Sequence, residues 1–192
     1  MKCWKNLPRG VKLFKINELC SVRGEIIAPQ IQQGEVNYIG LENIESETGK
    51  ITGSIKTEYQ LIKSAKNVFY KDDILYGKLR PNLNKVYYSE MGGVCSTDIL
   101  VLVTNNSIMN KLFYYHLISK VFNDKVLKTV SGQQLPRTSW EKMGSIKVPV
   151  PPLAKQQEIV AEIEGYEAEI LQLEKTMQQN AAKKKAILQR FL

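Results

Sequence analysis

The 192-residue chain contains one histidine, His116, and three cysteines, Cys3, Cys20 and Cys95, with no Cys-x-x-Cys spacing. A lone imidazole excludes histidine-rich metal sites and two-histidine nuclease arrangements. An odd, scattered set of thiols supports neither a zinc knuckle nor a disulfide framework, and a reduced, cytoplasmic compartment is the simple expectation. Long apolar runs are also missing. The longest, Ile-Leu-Val-Leu-Val at 99–103, falls far short of the roughly 20 residues that span a bilayer. The opening MKCWKNLPRG has no apolar h-region, so neither secretion nor a membrane partner is expected. No phosphate-binding GxxxxGK[ST] loop and no GxGxxG turn occur. The Asn/Asp-Pro-Pro-aromatic loop of an adenine methyltransferase is absent, and no acid has a lysine two residues on. The chain is therefore expected to be no enzyme, with no cofactor and no metal.

What is present is positive charge, unevenly placed. The 27 Lys and Arg exceed the 19 Asp and Glu by eight. Residues 1–150 hold 21 bases against 13 acids, whereas 151–192 hold six of each. The whole surplus belongs to the first segment, which points to a polyanionic partner there. The divide falls at the prolines of VPVPP, 148–152.

Short β-type runs fill the first segment: 35–44, 49–54, 67–70, 73–79, 85–90 and 95–104, separated by Asp-Asp, Arg-Pro-Asn and Gly-Gly breaks. Asn106-Ser107 is a candidate cap for a helix with apolar residues Ile108, Leu112, Tyr115 and Phe122. Residues 131–140 read as a loop and 144–151 as a last extended piece. The expected fold class is α+β: a compact, mostly-β domain over 1–150, followed by one long C-terminal helix over 151–192.

That helix is opened by Pro152 and interrupted only by Gly165. At about 1.5 Å per residue, its roughly 40 residues make a rod about 60 Å long. Heptad a and d positions fall on Ile159, Ile163, Tyr166, Ile170, Leu173, Met177, Asn180, Lys184, Ile187 and Phe191, eight of them apolar. The spacing predicts a coiled coil and marks these residues as a dimer interface. One long amphipathic helix lying on its own domain is the competing reading. Six glutamates between 158 and 174 precede Lys175, Lys183, Lys184, Lys185 and Arg190. A parallel self-pair would set acid beside acid. An antiparallel pair sets Ile163 on Ile187 of the second copy, Ile170 on Asn180, and Glu162 beside Arg190. The helix macrodipole would also favour early acids and late bases, but only within the terminal turns.

Five stretches, in order, resemble the DNA-specificity subunit of type I restriction–modification systems: YIGLENI (38–44), DILYGKLRPNLNKV (73–86), CSTDILVL (95–102), SGQQLPRTSW (131–140) and IKVPVPPLAKQQEIV (146–160). The likeness covers one target-recognition domain and one conserved-spacer helix, half of the usual subunit. It implies a non-catalytic protein that binds double-stranded DNA and docks adenine-specific methylation subunits. In a restriction complex it also docks nuclease–translocase subunits. Each recognition domain would read one half of a bipartite site, with the helices as a ruler. Two identical copies would read an interrupted palindrome.

Candidate DNA contacts are Lys78, Arg80, Asn82, Asn84 and Lys85 in the second stretch, and Gln133, Gln134 and Arg137 in the fourth. Long cations suit phosphates, and loop amides suit base edges. A plain hairpin turn at 80–82 and a loop held by Pro136 and Trp140 are the structural alternatives. Motifs shared among readers of different sequences suit scaffold or phosphate roles, which points to base readers elsewhere, such as 45–66. Two other functions are compatible with these features: a stand-alone DNA-binding regulator dimerised by its coil, and a coiled-coil adaptor with no DNA role.

Overall fold

The computed structural model describes residues 7–130 and 136–191. The first compact unit, Met1–Leu153, is built mostly from short strands. β1 (Lys12–Lys15), α1 (Ile16–Leu19), β2 (Cys20–Val22) and β3 (Ile26–Ile27) come first. β4 (Glu35–Ile39), β5 (Lys56–Glu58), β6 (Lys66–Phe69), β7 (Ile74–Gly77) and β8 (Val86–Tyr88) follow. After β9 (Gly93–Cys95) and β10 (Ile99–Thr104) come α2 (Asn110–Ile118), α3 (Lys120–Leu127), α4 (Trp140–Gly144) and β11 (Lys147–Val150). Among the described residues, four 3-10 turns occur, at Pro29–Ile31, Leu41–Asn43, Tyr59–Leu61 and Pro81–Leu83.

Among the described residues, the strands make three sheets: β1-β11, β2-β10-β7-β8, and β3-β6-β9-β4-β5. All pairings are antiparallel except β4 with β9, where Tyr38 faces Val94 and Ile39 faces Cys95. β10 lies inside its sheet, so its run alternates little and is almost wholly buried, as interior strands require. Ile39, Ile44, Phe69, Leu75, Tyr87, Cys95, Ile99 and Val101 form the main core. A second cluster gathers Val36, Ile62 and Val94, with Ile27, Tyr38, Tyr59 and Val68 against it. The Asn67 side-chain amide donates to the Ile99 carbonyl at 2.9 Å, tying the two large sheets together.

Several expectations are refined. The single run at 95–104 is two strands, broken by a turn in which Ile99 N donates to the Ser96 carbonyl. The stretch 49–54 forms only one bridge, Ile51 to Ile44. The helix expected from Asn106-Ser107 starts at Asn110 after Met109, which supplies no side-chain cap. It stops at Ser119, whose hydroxyl instead caps α3 by accepting from Phe122 N at 3.2 Å. Within 131–140, residues 131–135 lie outside the described residues, Arg137 forms a bridge with Leu79, and Trp140 begins α4.

The second unit, Ala154–Leu192, is one helix, α5 (Leu153–Phe191). It begins one residue after Pro152, and Gly165 lies within it without a break. The fold is thus α+β, a mostly-β unit and a long C-terminal helix. The a/d residues Tyr166, Ile170, Leu173, Met177, Ile187 and Phe191 are all more than half exposed. No helix among the described residues is long and apolar enough to cross a membrane.

Candidate nucleic-acid interface

Four of the five singled-out stretches interlock. After β7, Lys78 N donates to the Asp98 carbonyl at 2.9 Å, joining the second stretch to the third. Leu79 bridges Arg137, Arg80 N donates to the Pro136 carbonyl at 2.8 Å, and Thr138 N donates to the Lys78 carbonyl at 3.0 Å. This short antiparallel ribbon joins the second stretch to the fourth, and carries Lys78 and Arg80 on one strand and Arg137 on the other. The Arg137 guanidinium pairs with the Asp98 carboxylate at 3.3 Å, with both side chains partly exposed. Such a pair adds at most about 1 kcal/mol, so its effect is to aim the arginine more than to hold the fold.

Arg80 sits at φ 50° and Asn84 at φ 44°, left-handed residues bracketing the turn Pro81–Leu83. Asparagine tolerates that region, but arginine is strained there by about 1–2 kcal/mol. The conformation persists because backbone bonds to Pro136 and from Leu83 fix both sides of Arg80. The side chains of Arg80, Asn82 and Arg137 remain exposed, and Lys78 is half-buried.

The other two predicted contacts in this stretch are turned inward. Asn84 is buried, and its side-chain amide donates to the Ile118 carbonyl at 2.6 Å. Lys85 Nζ donates to the Leu41 carbonyl at 2.6 Å, joining the second stretch to YIGLENI. That contact packs Leu41 so close to Gly77 that a Cβ there would meet Leu41 Cδ2 at 2.8 Å. Both residues therefore hold the turn. Gln133 and Gln134 lie outside the described residues.

The matching family is the type I restriction modification DNA specificity domain, which covers residues 8–183. The chain belongs to that family. The specificity subunit of type I restriction enzyme EcoDI from Escherichia coli is 27% identical over 187 residues, 97% of this chain and 41% of that protein. The HsdS subunit from Thermoanaerobacter tengcongensis superposes with a TM-score of 0.75, at 21% identity, over 88% of this chain and 45% of that one. The S subunit of the type I restriction-modification system from M. genitalium gives 0.57 at 13% identity, over 88% and 41%. The chain spans less than half the length of each. In this chain, four of the five singled-out stretches are tied to one another by backbone and side-chain bonds.

Away from the ribbon, His116 borders a cleft of about 190 Å³ with Ser119, Val121, Phe122, Val148 and Pro149. Burial lowers the imidazole to about 4, although a bond to the Pro149 carbonyl opposes that shift. Its Nε2 is enclosed without a partner among the described residues. The thiols of Cys20 and Cys95 are buried and free, each pushed up by burial to about 12, which leaves them unreactive. Among the described residues, no group of three or more His, Cys, Asp or Glu is placed to hold a metal ion. Asp73 is spent on structure: it takes a two-pronged contact from Arg23 at 2.9 Å and accepts from Tyr70 N at 2.8 Å.

Proposed function

We propose that this chain is the non-catalytic specificity subunit of a type I restriction–modification system. The residue 1–150 domain would read one half of a bipartite site in double-stranded DNA and dock adenine-methylation subunits, with restriction subunits joining in the full complex. The observation that carries this reading is the ribbon that unites Lys78, Arg80 and Arg137 on the unit holding the entire positive surplus. A two-stranded ribbon is one of the shapes that a major groove admits, and its cations suit phosphates at the groove edges. Lys78, Arg80, Asn82 and Arg137 then position the duplex, joined by Gln133 and Gln134 from the same stretch of sequence. Asn84 and Lys85 contribute by keeping the turn in shape.

The helix over 151–192 supplies the second half of the device. Its exposed a/d stripe and polarised charge favour an antiparallel coiled coil with another copy. Two identical reading domains then face inverted half-sites, at a spacing below about 18 base pairs for a 60 Å rod. The test is reconstitution. The chain, mixed with a type I methylation subunit and labelled S-adenosylmethionine, should methylate specific DNA, and neither protein alone should do so. Tight site-specific binding by the chain alone, with no methylation in the mixture, would instead support a stand-alone regulator. DNA binding insensitive to salt would contradict both.

A further inference from the structure

Two 3-10 turns, Pro29–Ile31 after β3 and Tyr59–Leu61 after β5, touch each other although β3 and β5 are opposite edges of the five-stranded sheet. Each is closed in the same way. Gln32 N donates to the Pro29 carbonyl at 2.9 Å, and Ile62 N donates to the Tyr59 carbonyl at 3.1 Å. Each is anchored from beneath, because Pro29 is buried while Ile27, Tyr59 and Ile62 belong to the second core cluster. Their apices carry the same pair of chemistries, an exposed glutamine followed by an exposed branched aliphatic side chain: Gln30–Ile31 and Gln60–Leu61. Ile31 is 79% exposed and Leu61 69%, the two most exposed large apolar side chains of the first unit among the described residues.

An amide beside an aliphatic group matches what an A·T pair displays in the major groove. Adenine N6–H donates to a glutamine Oε1 while adenine N7 accepts from the same glutamine's Nε2, and the thymine methyl takes an apolar contact. The turns stand on the basic unit, with Lys63 two residues beyond Leu61, and outside all five family-like stretches. At the foot of the second turn, Glu35 and Glu58 face each other across β4 and β5. These carboxylates disfavour phosphate contact at the foot of the turn. We infer that Gln30–Ile31 and Gln60–Leu61 are base readers, each specifying an A·T pair in the half-site. This rests on the specificity-subunit reading above.

The test selects binding sites from random duplex DNA with the full chain, methylation subunit present, then repeats the selection with Gln60→Ala, Leu61→Ala and Ile31→Ala. All three residues are exposed, and an unchanged thermal midpoint verifies folding. Each variant should lose roughly 5- to 150-fold in affinity for the wild-type site and relax selection at one A·T position. Replacing thymine by uracil at that position removes the methyl; it should weaken wild type but leave Leu61→Ala or Ile31→Ala, whichever reads it, indifferent. Unchanged selection and affinity in all three variants would overturn the inference. So would loss of methylation-subunit capture with DNA selection intact, which would make the turns a protein-docking surface. A wild-type chain that selects no sequence would instead overturn the parent reading, and this one with it.

Discussion

Replacing His116 by glutamine removes the chain's one imidazole while leaving an amide able to donate to the Pro149 carbonyl. In the folded protein the ring protonates near 4, against 6.5 when unfolded, because its enclosure disfavours the charged form. The fold therefore prefers the neutral ring. Its contribution is complete above pH 6.5 and is lost progressively as pH falls toward 4. Acidification to about pH 4.5 covers two of those units at about 1.4 kcal/mol each, for a loss of about 2.5 kcal/mol. That is an upper figure, because the residue as a whole is only half-buried. Carboxylates titrate over the same range, but identically in both proteins, so the comparison isolates the ring. Thermal melts at about pH 7.5 and pH 4.5 should show wild type losing roughly 5–10 °C more than His116→Gln. A proton NMR titration needs no assignment with a single histidine, and should show its resonance moving near pH 4. A midpoint near 6.5, together with equal acid losses in the two proteins, would refute the reasoning.

Gly93→Ala should destabilise by about 2 kcal/mol or more in denaturant unfolding, because a Cβ would lie 2.3 Å from the Asn37 carbonyl oxygen. Asp73→Ala should cost about 3 kcal/mol by the same measurement, since it leaves the partly buried Arg23 without its two-pronged carboxylate. Arg137→Ala should weaken DNA binding about equally for all sequences and lower the salt slope by about one, read from affinities at several salt concentrations. Cysteines placed at positions 163 and 187 should cross-link between copies. Efficient coupling of 163 to 163 would contradict the antiparallel register.

Local patterns were legible where they depend only on neighbours in the chain. The long helix shows in 39 residues free of internal proline, and the strands β6, β7 and β8 show in β-branched and aromatic runs between turn residues. The boundary near the prolines shows in the abrupt change of charge balance. What escaped depends on distant partners. β1 is held by β11, and β2 by β10, across more than 75 residues, so short strands of two to four residues carry no periodicity of their own. Ser119 breaks the helical run because its hydroxyl serves the next helix, a choice invisible in the apolar spacing. In the candidate site, the sequence identified the cations but not their fate. Lys85 and Asn84 are claimed by carbonyls of Leu41 and Ile118, 44 and 34 residues away, while Arg80 and Arg137 stay exposed. The paired turns at 29–31 and 59–61 escaped because their kinship lies in three-dimensional contact.

In the proposed function, two copies of this chain direct methylation to inverted, identical half-sites. Sequencing the modified adenines in DNA from cells carrying the chain with a type I methylation subunit tests it most directly. The expected result is a single interrupted palindrome, with halves separated by fewer than about 18 base pairs. An asymmetric bipartite motif, with two different halves, would contradict it.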